Sequence, residues 1–159
     1  MCCRYYFAKD SSEYIRSIAG HIDPEVIYYC WDESKEESFM SIIFVGIGGA
    51  IGAILRYLIS MIPVKSDFPI LTLVTNVIGA FAIGCIVALA KKYDMPKNVV
   101  LMLKTGVCGG FTTFSTFSLE AYNLLESRKI GIGITYAGLS LVLCVVAVLL
   151  GEAAVSRLS

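Results

Sequence analysis

Thirteen residues in the C-terminal half, Gly106-Val-Cys-Gly-Gly-Phe-Thr-Thr-Phe-Ser-Thr-Phe-Ser118, combine glycines with five hydroxyl side chains: Thr112, Thr113, Ser115, Thr116 and Ser118. They lie inside an apolar segment, Val99–Leu125. As one helix it would run about 40 Å at ~1.5 Å per residue, against a hydrocarbon core of ~30 Å. The spacing predicts an interrupted helix near Gly109–Ser115, close to the bilayer midplane, with hydroxyls serving backbone groups that the break releases. Broken helices at that depth line ion or substrate sites. Unwound carbonyls attract cations, whereas donors and half-helix N-termini attract anions. The bland alternative is a long tilted helix whose hydroxyls bond its own backbone.

Other residues can add to such a site. Asn76, in VTNVIGAF, can donate its NH₂ to an anion while its oxygen accepts from another helix. A plain interhelical hydrogen bond explains it equally well. Arg56 can snorkel to the interface or raise the anion concentration in a vestibule. Phe114 and Phe117 flank Ser115 and Thr116, and the positive edges of their rings could meet a small anion. Core packing is the competing account. Tyr136 and Ser140 are four apart, hence on one face of a helix, and can continue a line of hydroxyls or make interhelical contacts. Glu120 and Glu152 are intramembrane carboxylates, candidate functional groups by default, near enough to helix ends to reach polar surroundings.

Four apolar segments must position these groups: about Ile42–Ile62, Ile70–Ala90, Val99–Leu125 and Ile132–Val155. Each reaches the ~20 residues that a spanning helix needs. Short links make consecutive helices antiparallel neighbours. The expected fold is therefore an all-α integral membrane protein with four transmembrane helices, the third broken. Small residues at four-residue spacing (Gly46/Ala50, Gly48/Gly52, Gly49/Ala53, Ala80/Gly84, Gly84/Ala88, Ser140/Cys144 and Ala147/Gly151) let helix backbones approach closely in lipid. So small a bundle cannot enclose a wide pore, and oligomerisation is the natural remedy.

Composition agrees. The chain is 57 % hydrophobic and 16 % charged, where soluble domains are about 45–50 % and 25 %. Its formal net charge is zero, which implies no surface for nucleic acid. The cysteines at 2, 3, 30, 85, 108 and 144 include no CxxC pair, so neither a disulfide framework nor a zinc site is expected. His21 has no metal-ligand spacing. The composition changes near Met40, which opens MSIIFVGIGG like a natural start. Residues 1–39 are read as an atypical N-terminal extension or a mis-called start. Asp10, Glu13 and Gly20 could there bound a short helix. Residues 40–159 form the membrane domain. Without the extension, Lys91, Lys92, Lys97 and Arg157 face one side and Lys65, Arg128 and Lys129 the other. The positive-inside rule needs a clear excess. This near balance permits insertion in both directions, unless Arg4, Lys9, Arg16 and Lys35 of the extension fix the topology.

Three motifs, GGAIGAILRY (48–57), LVTNVIGAFAIG (73–84) and GVCGGFTTFSTFSLEAY (106–122), together resemble the CrcB/Fluc fluoride channel family, over essentially all of Met40–Ser159. The resemblance implies a cell-membrane, multi-pass, antiparallel dual-topology homodimer with two narrow fluoride pores, each built from both subunits. A paralogue could replace the identical partner. It implies a structural Na⁺ at the dimer interface, held by backbone carbonyls that fall on Gly109 and Thr112. It places Phe114, Phe117, Asn76, Ser115 and Thr116 along the fluoride path and Arg56 at the vestibule. On the fourth helix Tyr136 and Ser140 fit more loosely. Cys144 stands where some members carry a second hydroxyl.

In such a channel fluoride, trapped in the cytoplasm after entry as neutral hydrogen fluoride, leaves passively, which reduces its toxicity. No covalent bond is broken, so no enzyme is expected. Two rival readings fit parts of the sequence. One is a small proton-coupled multidrug antiporter, which resembles the chain in size but carries a glutamate in its first helix, where this chain has Arg56. The other is a non-transporting scaffold, which leaves the third segment unexplained.

Overall fold

The computed structural model describes residues 24–157, with side chains from residue 39. The expectations placed on Asp10, Glu13, Gly20, His21 and the cysteines at 2 and 3 lie outside the described residues, as does the side chain of Cys30. The chain divides into two units, Met1–Met40 and Ser41–Ser159.

Among the described residues every regular element is helical. Helix α1 (Pro24–Ser60) is followed by α2 (Ile70–Tyr93), then by a composite third segment, then by α6 (Ile130–Arg157). The third segment comprises α3 (Lys97–Leu101), a π-helical stretch Met102–Cys108, α4 (Gly109–Phe111) and α5 (Phe114–Glu126). Among the described residues, three stretches are long and apolar enough to cross a membrane: Phe39–Ser60, Ile70–Tyr93 and Ile130–Arg157. The fourth expected span does not qualify as one helix because it is in pieces.

Two close helix–helix seams are made by glycine. Helix α2 packs along α6. A Cβ on Gly84 would strike the Val148 carbonyl, and one on Gly151 would strike the Phe81 carbonyl. Cys85 Sγ donates to the Gly151 carbonyl at 3.5 Å across the same seam. Helix α1 packs on the third segment. A Cβ on Gly48 would meet the Met102 carbonyl, one on Gly52 the Val107 carbonyl, and one on Gly110 the Gly49 carbonyl at 2.5 Å. Without a hydrophobic drive between helices in lipid, such backbone-to-backbone contact supplies the dispersion that holds them.

The break differs in detail from its expected form. Gly109 and Gly110 stay helical, and no described glycine has positive φ. The chain leaves the helix at two threonines, Thr112 (φ −76°, ψ 155°) and Thr113 (φ −147°, ψ 115°). β-branched residues suit extended backbone better than helix. Gly110 is needed for close approach to α1. The π-helical stretch was not expected at all. Such single widened turns gather at functional sites, and this one carries Gly106 against Gly48.

Candidate functional site

The backbone accounting at the break explains why these residue types occur there. In a continuous helix the Thr113 N–H would bond the Gly109 carbonyl. It instead donates to Asn76 Oδ1 at 2.8 Å, and Asn76 Nδ2 donates back to the Thr113 carbonyl at 3.2 Å. The Thr116 N–H, helical donor for the Thr112 carbonyl, goes to Thr113 Oγ1 at 3.2 Å, so Thr113 caps α5. Gly79 makes room for this turn, since a Cβ there would collide with Thr112 Cγ2. The Gly110 carbonyl accepts from Arg56 Nε at 3.3 Å. Asn76, Arg56 and Thr113 thus take up polar groups that the break releases. The carbonyls of Gly109 and Thr112 are left without their helical donors.

Hydroxyls gather at the start of α5. Thr113 Oγ1 donates to Thr116 Oγ1 at 3.0 Å and lies 3.2 Å from Ser115 Oγ. Ser118 Oγ turns back to the Phe114 carbonyl at 2.8 Å. Arg56, Ser60, Thr72, Thr75, Thr113 and Thr116 line a cleft of about 250 Å³. From that cleft Thr72 Oγ1 donates to Glu120 Oε1 at 2.9 Å, and Tyr136 Oη donates to Glu120 Oε2 at 2.8 Å. Glu120 also borders a second cleft of about 220 Å³, with Asp67, Asn123, Ser127 and Lys129 at its rim. Lys129 pairs there with Asp67 at 2.6 Å.

The aromatic side chains form a row. Phe114 and Phe117 have centroids 5.5 Å apart, Phe117 and Tyr136 5.1 Å, and Phe68 meets Tyr136 edge-on at 5.5 Å. Tyr136 is fully enclosed, whereas Phe114 is 79 % exposed on the single chain. One turn beyond Tyr136, the buried Ser140 hydroxyl has no hydrogen-bond partner among the described atoms. An unserved hydroxyl in a dry site costs roughly 1–3 kcal/mol.

The structure therefore brings Asn76, Arg56, Gly109, Thr112, Ser115 and Thr116 to the break, and sets Phe114, Phe117, Tyr136 and Ser140 in or beside the aromatic row. Arg56 turns its Nε toward the break. Cys144 is half-buried on α6. Glu152 pairs with Lys91 at 3.4 Å near the exposed end of α2. Two features escaped sequence reasoning. One is the bracket of Thr72 and Tyr136 around Glu120, whose partners lie far apart in sequence. The other is Lys104, a charged residue within an apolar segment, which counting charges in loops passes over.

Comparison with known proteins gives a consistent answer. Residues 43–152 match the family model described as CrcB-like protein, Camphor Resistance (CrcB). A relative from Ruminiclostridium cellulolyticum, named fluoride-specific ion channel FluC, is 42 % identical over 120 residues, covering 73 % of this chain and 92 % of the relative. A protein of the same name from Clostridium novyi is 45 % identical over 121 residues, covering 74 % and 94 %. One from Ignicoccus hospitalis is 38 % identical over 119 residues, covering 74 % and 97 %.

Proposed function

The chain belongs to the CrcB-like family, and on that premise we propose that it is a fluoride-specific ion channel, exporting cytoplasmic fluoride by passive electrodiffusion and so reducing its toxicity. It is a multi-pass membrane protein, not an enzyme. The observation that carries the reading is the helix break, where Thr113, Asn76 and Arg56 share out the released backbone groups beside a row of hydroxyls and rings.

Fluoride gives up its water only where positioned donors replace it. The unpartnered Ser140 hydroxyl, the hydroxyls of Ser115 and Thr116, and the Asn76 amide supply donors. The ring edges of Phe114 and Phe117 supply weakly positive hydrogens that cost little to desolvate. Arg56, at the cleft beside the break, raises the local anion concentration.

The exposed Phe114 and the uncovered face of Gly109, where an added Cβ would touch nothing within 4 Å, support a second copy as partner. Near-balanced charge between the loops supports an antiparallel arrangement, with lipid around the remaining apolar surface. The freed carbonyls of Gly109 and Thr112 fit a hard monovalent cation, and we assign them as ligands of Na⁺ at the dimer interface. Such an ion, when bound, would supply positive charge and join the two copies.

The antiporter reading is dropped because the span Phe39–Ser60 contains no acidic residue and the relatives are named as channels. The test is fluoride release from proteoliposomes, followed with a fluoride electrode. Rapid release without proton coupling is expected. Proton-coupled efflux of an organic cation without fluoride current would overturn the reading.

A further inference from the structure

Lys104 and Thr105 are exposed on the π-helical stretch, while their neighbours Gly106 and Cys108 are buried. Gly106 faces α1, against Gly48 and the Val45 carbonyl, so Lys104 and Thr105 lie away from α1. Gly109, the first residue after the π-helical stretch and four beyond Thr105, falls on the same side as Thr105, is also exposed, and has a carbonyl that has lost its helical donor to Asn76. Lys104, Thr105 and Gly109 form one uncovered polar stripe that runs into the break.

A lysine directed at lipid is costly, and an intramembrane lysine ordinarily finds a carboxylate, a backbone carbonyl or water. Lys104 has no carboxylate among the described residues: the ion pairs there are Lys91–Glu152 and Lys129–Asp67. Glu120, inside the same segment, is held by Thr72 and Tyr136. The partners left outside the single chain are water and a lipid headgroup, and the continuation of the exposed side from Lys104 through Thr105 to the freed Gly109 carbonyl favours water, in a recess that two copies would enclose.

We propose that the stripe Lys104–Thr105–Gly109 lines a water-filled vestibule leading to the break, and that the Lys104 ammonium concentrates fluoride there before dehydration. The inference rests on the channel reading. It adds a charge on the opposite side of the break from the Arg56 cleft, which opens toward Ser60 and Thr116. In two antiparallel copies, Lys104 of one would share a membrane side with Arg56 of the other, so each mouth would carry both charges.

The test is fluoride conductance of the full-length channel in uncharged phosphatidylcholine bilayers, with an inert sodium salt setting ionic strength. At about 0.01 M the Debye length is ~30 Å and at about 1 M ~3 Å. Lys104→Gln is expected to lower conductance about two- to fivefold at the lower value and to leave it nearly unchanged at the higher. Lys104→Arg should match the wild type at both. Lys104→Thr serves as a second neutral variant should Lys104→Gln not elute as folded protein. Equal conductance of wild type and neutral variants at low ionic strength overturns the proposal, as does a loss of equal size at both. A difference seen only with phosphatidylglycerol present also overturns it, because the lysine would then serve a lipid headgroup. A silent wild type would instead sink the channel reading.

Discussion

At the scale of single residues, Asn76 does two jobs with one amide, accepting from the Thr113 N–H and donating to its carbonyl. Aspartate can accept but, when ionised, cannot donate, and it would set a negative charge beside the carbonyls of the break. Asn76→Asp is therefore expected to reduce fluoride flux by at least tenfold in the electrode assay. Thr113 is the cap of α5. Thr113→Val should destabilise the detergent-solubilised protein by about 1–2 kcal/mol, seen as a lower melting temperature, whereas Thr113→Ser should restore it. Phe117 sits between Phe114 and Tyr136. Phe117→Ile keeps an apolar filler and removes the ring edges, so flux should be nearly abolished while elution volume stays unchanged.

At the scale of elements, the glycines divide sharply by what lies opposite them. Gly84 and Gly151 face each other's helix backbones across the α2–α6 seam, while Gly46 faces nothing within 4 Å. Gly151→Leu must push α2 and α6 apart and is expected to abolish monodisperse protein in size-exclusion chromatography. Gly46→Ala should be tolerated, with stability unchanged or raised by up to ~1 kcal/mol from helix propensity. The four apolar segments, and the interruption of the third, were legible from run length and from the glycine–hydroxyl centre. The π-helical stretch was not, because nothing in MLKTGVC distinguishes a widened turn from an α-helical one. Nor was the point of departure from the helix. Glycine draws the eye as the breaker, yet Gly110 is committed to contact with Gly49, and the turn falls to Thr112 and Thr113.

At the scale of the whole molecule, the single chain leaves much apolar surface uncovered, Phe114 included. Lipid and a second copy are the two candidate covers. If the copies are antiparallel, a reporter fused to the C-terminus should be found on both sides of the membrane in comparable amounts. Neutralising Arg128 and Lys129 together should then shift the population toward one orientation, as the positive-inside rule requires. If the Gly109 and Thr112 carbonyls share a sodium ion between copies, replacing sodium with a bulky organic cation should lower fluoride flux and weaken dimer retention on a sizing column.

From the sequence alone came the membrane class, the broken third span, the candidate donors and the family likeness. Each of these is a property of neighbouring residues: apolar length, hydroxyls beside glycines, a motif read in order. The tertiary structure decided which released backbone group finds which partner. The bonds that do so join residues 37 and 54 positions apart, Asn76 to Thr113 and Arg56 to Gly110. The same holds for Glu120, placed between Thr72 and Tyr136 by the packing of three separate elements. Such partners are chosen by how closely helices approach. The glycine seams set that distance, and it exists only once the chain has folded.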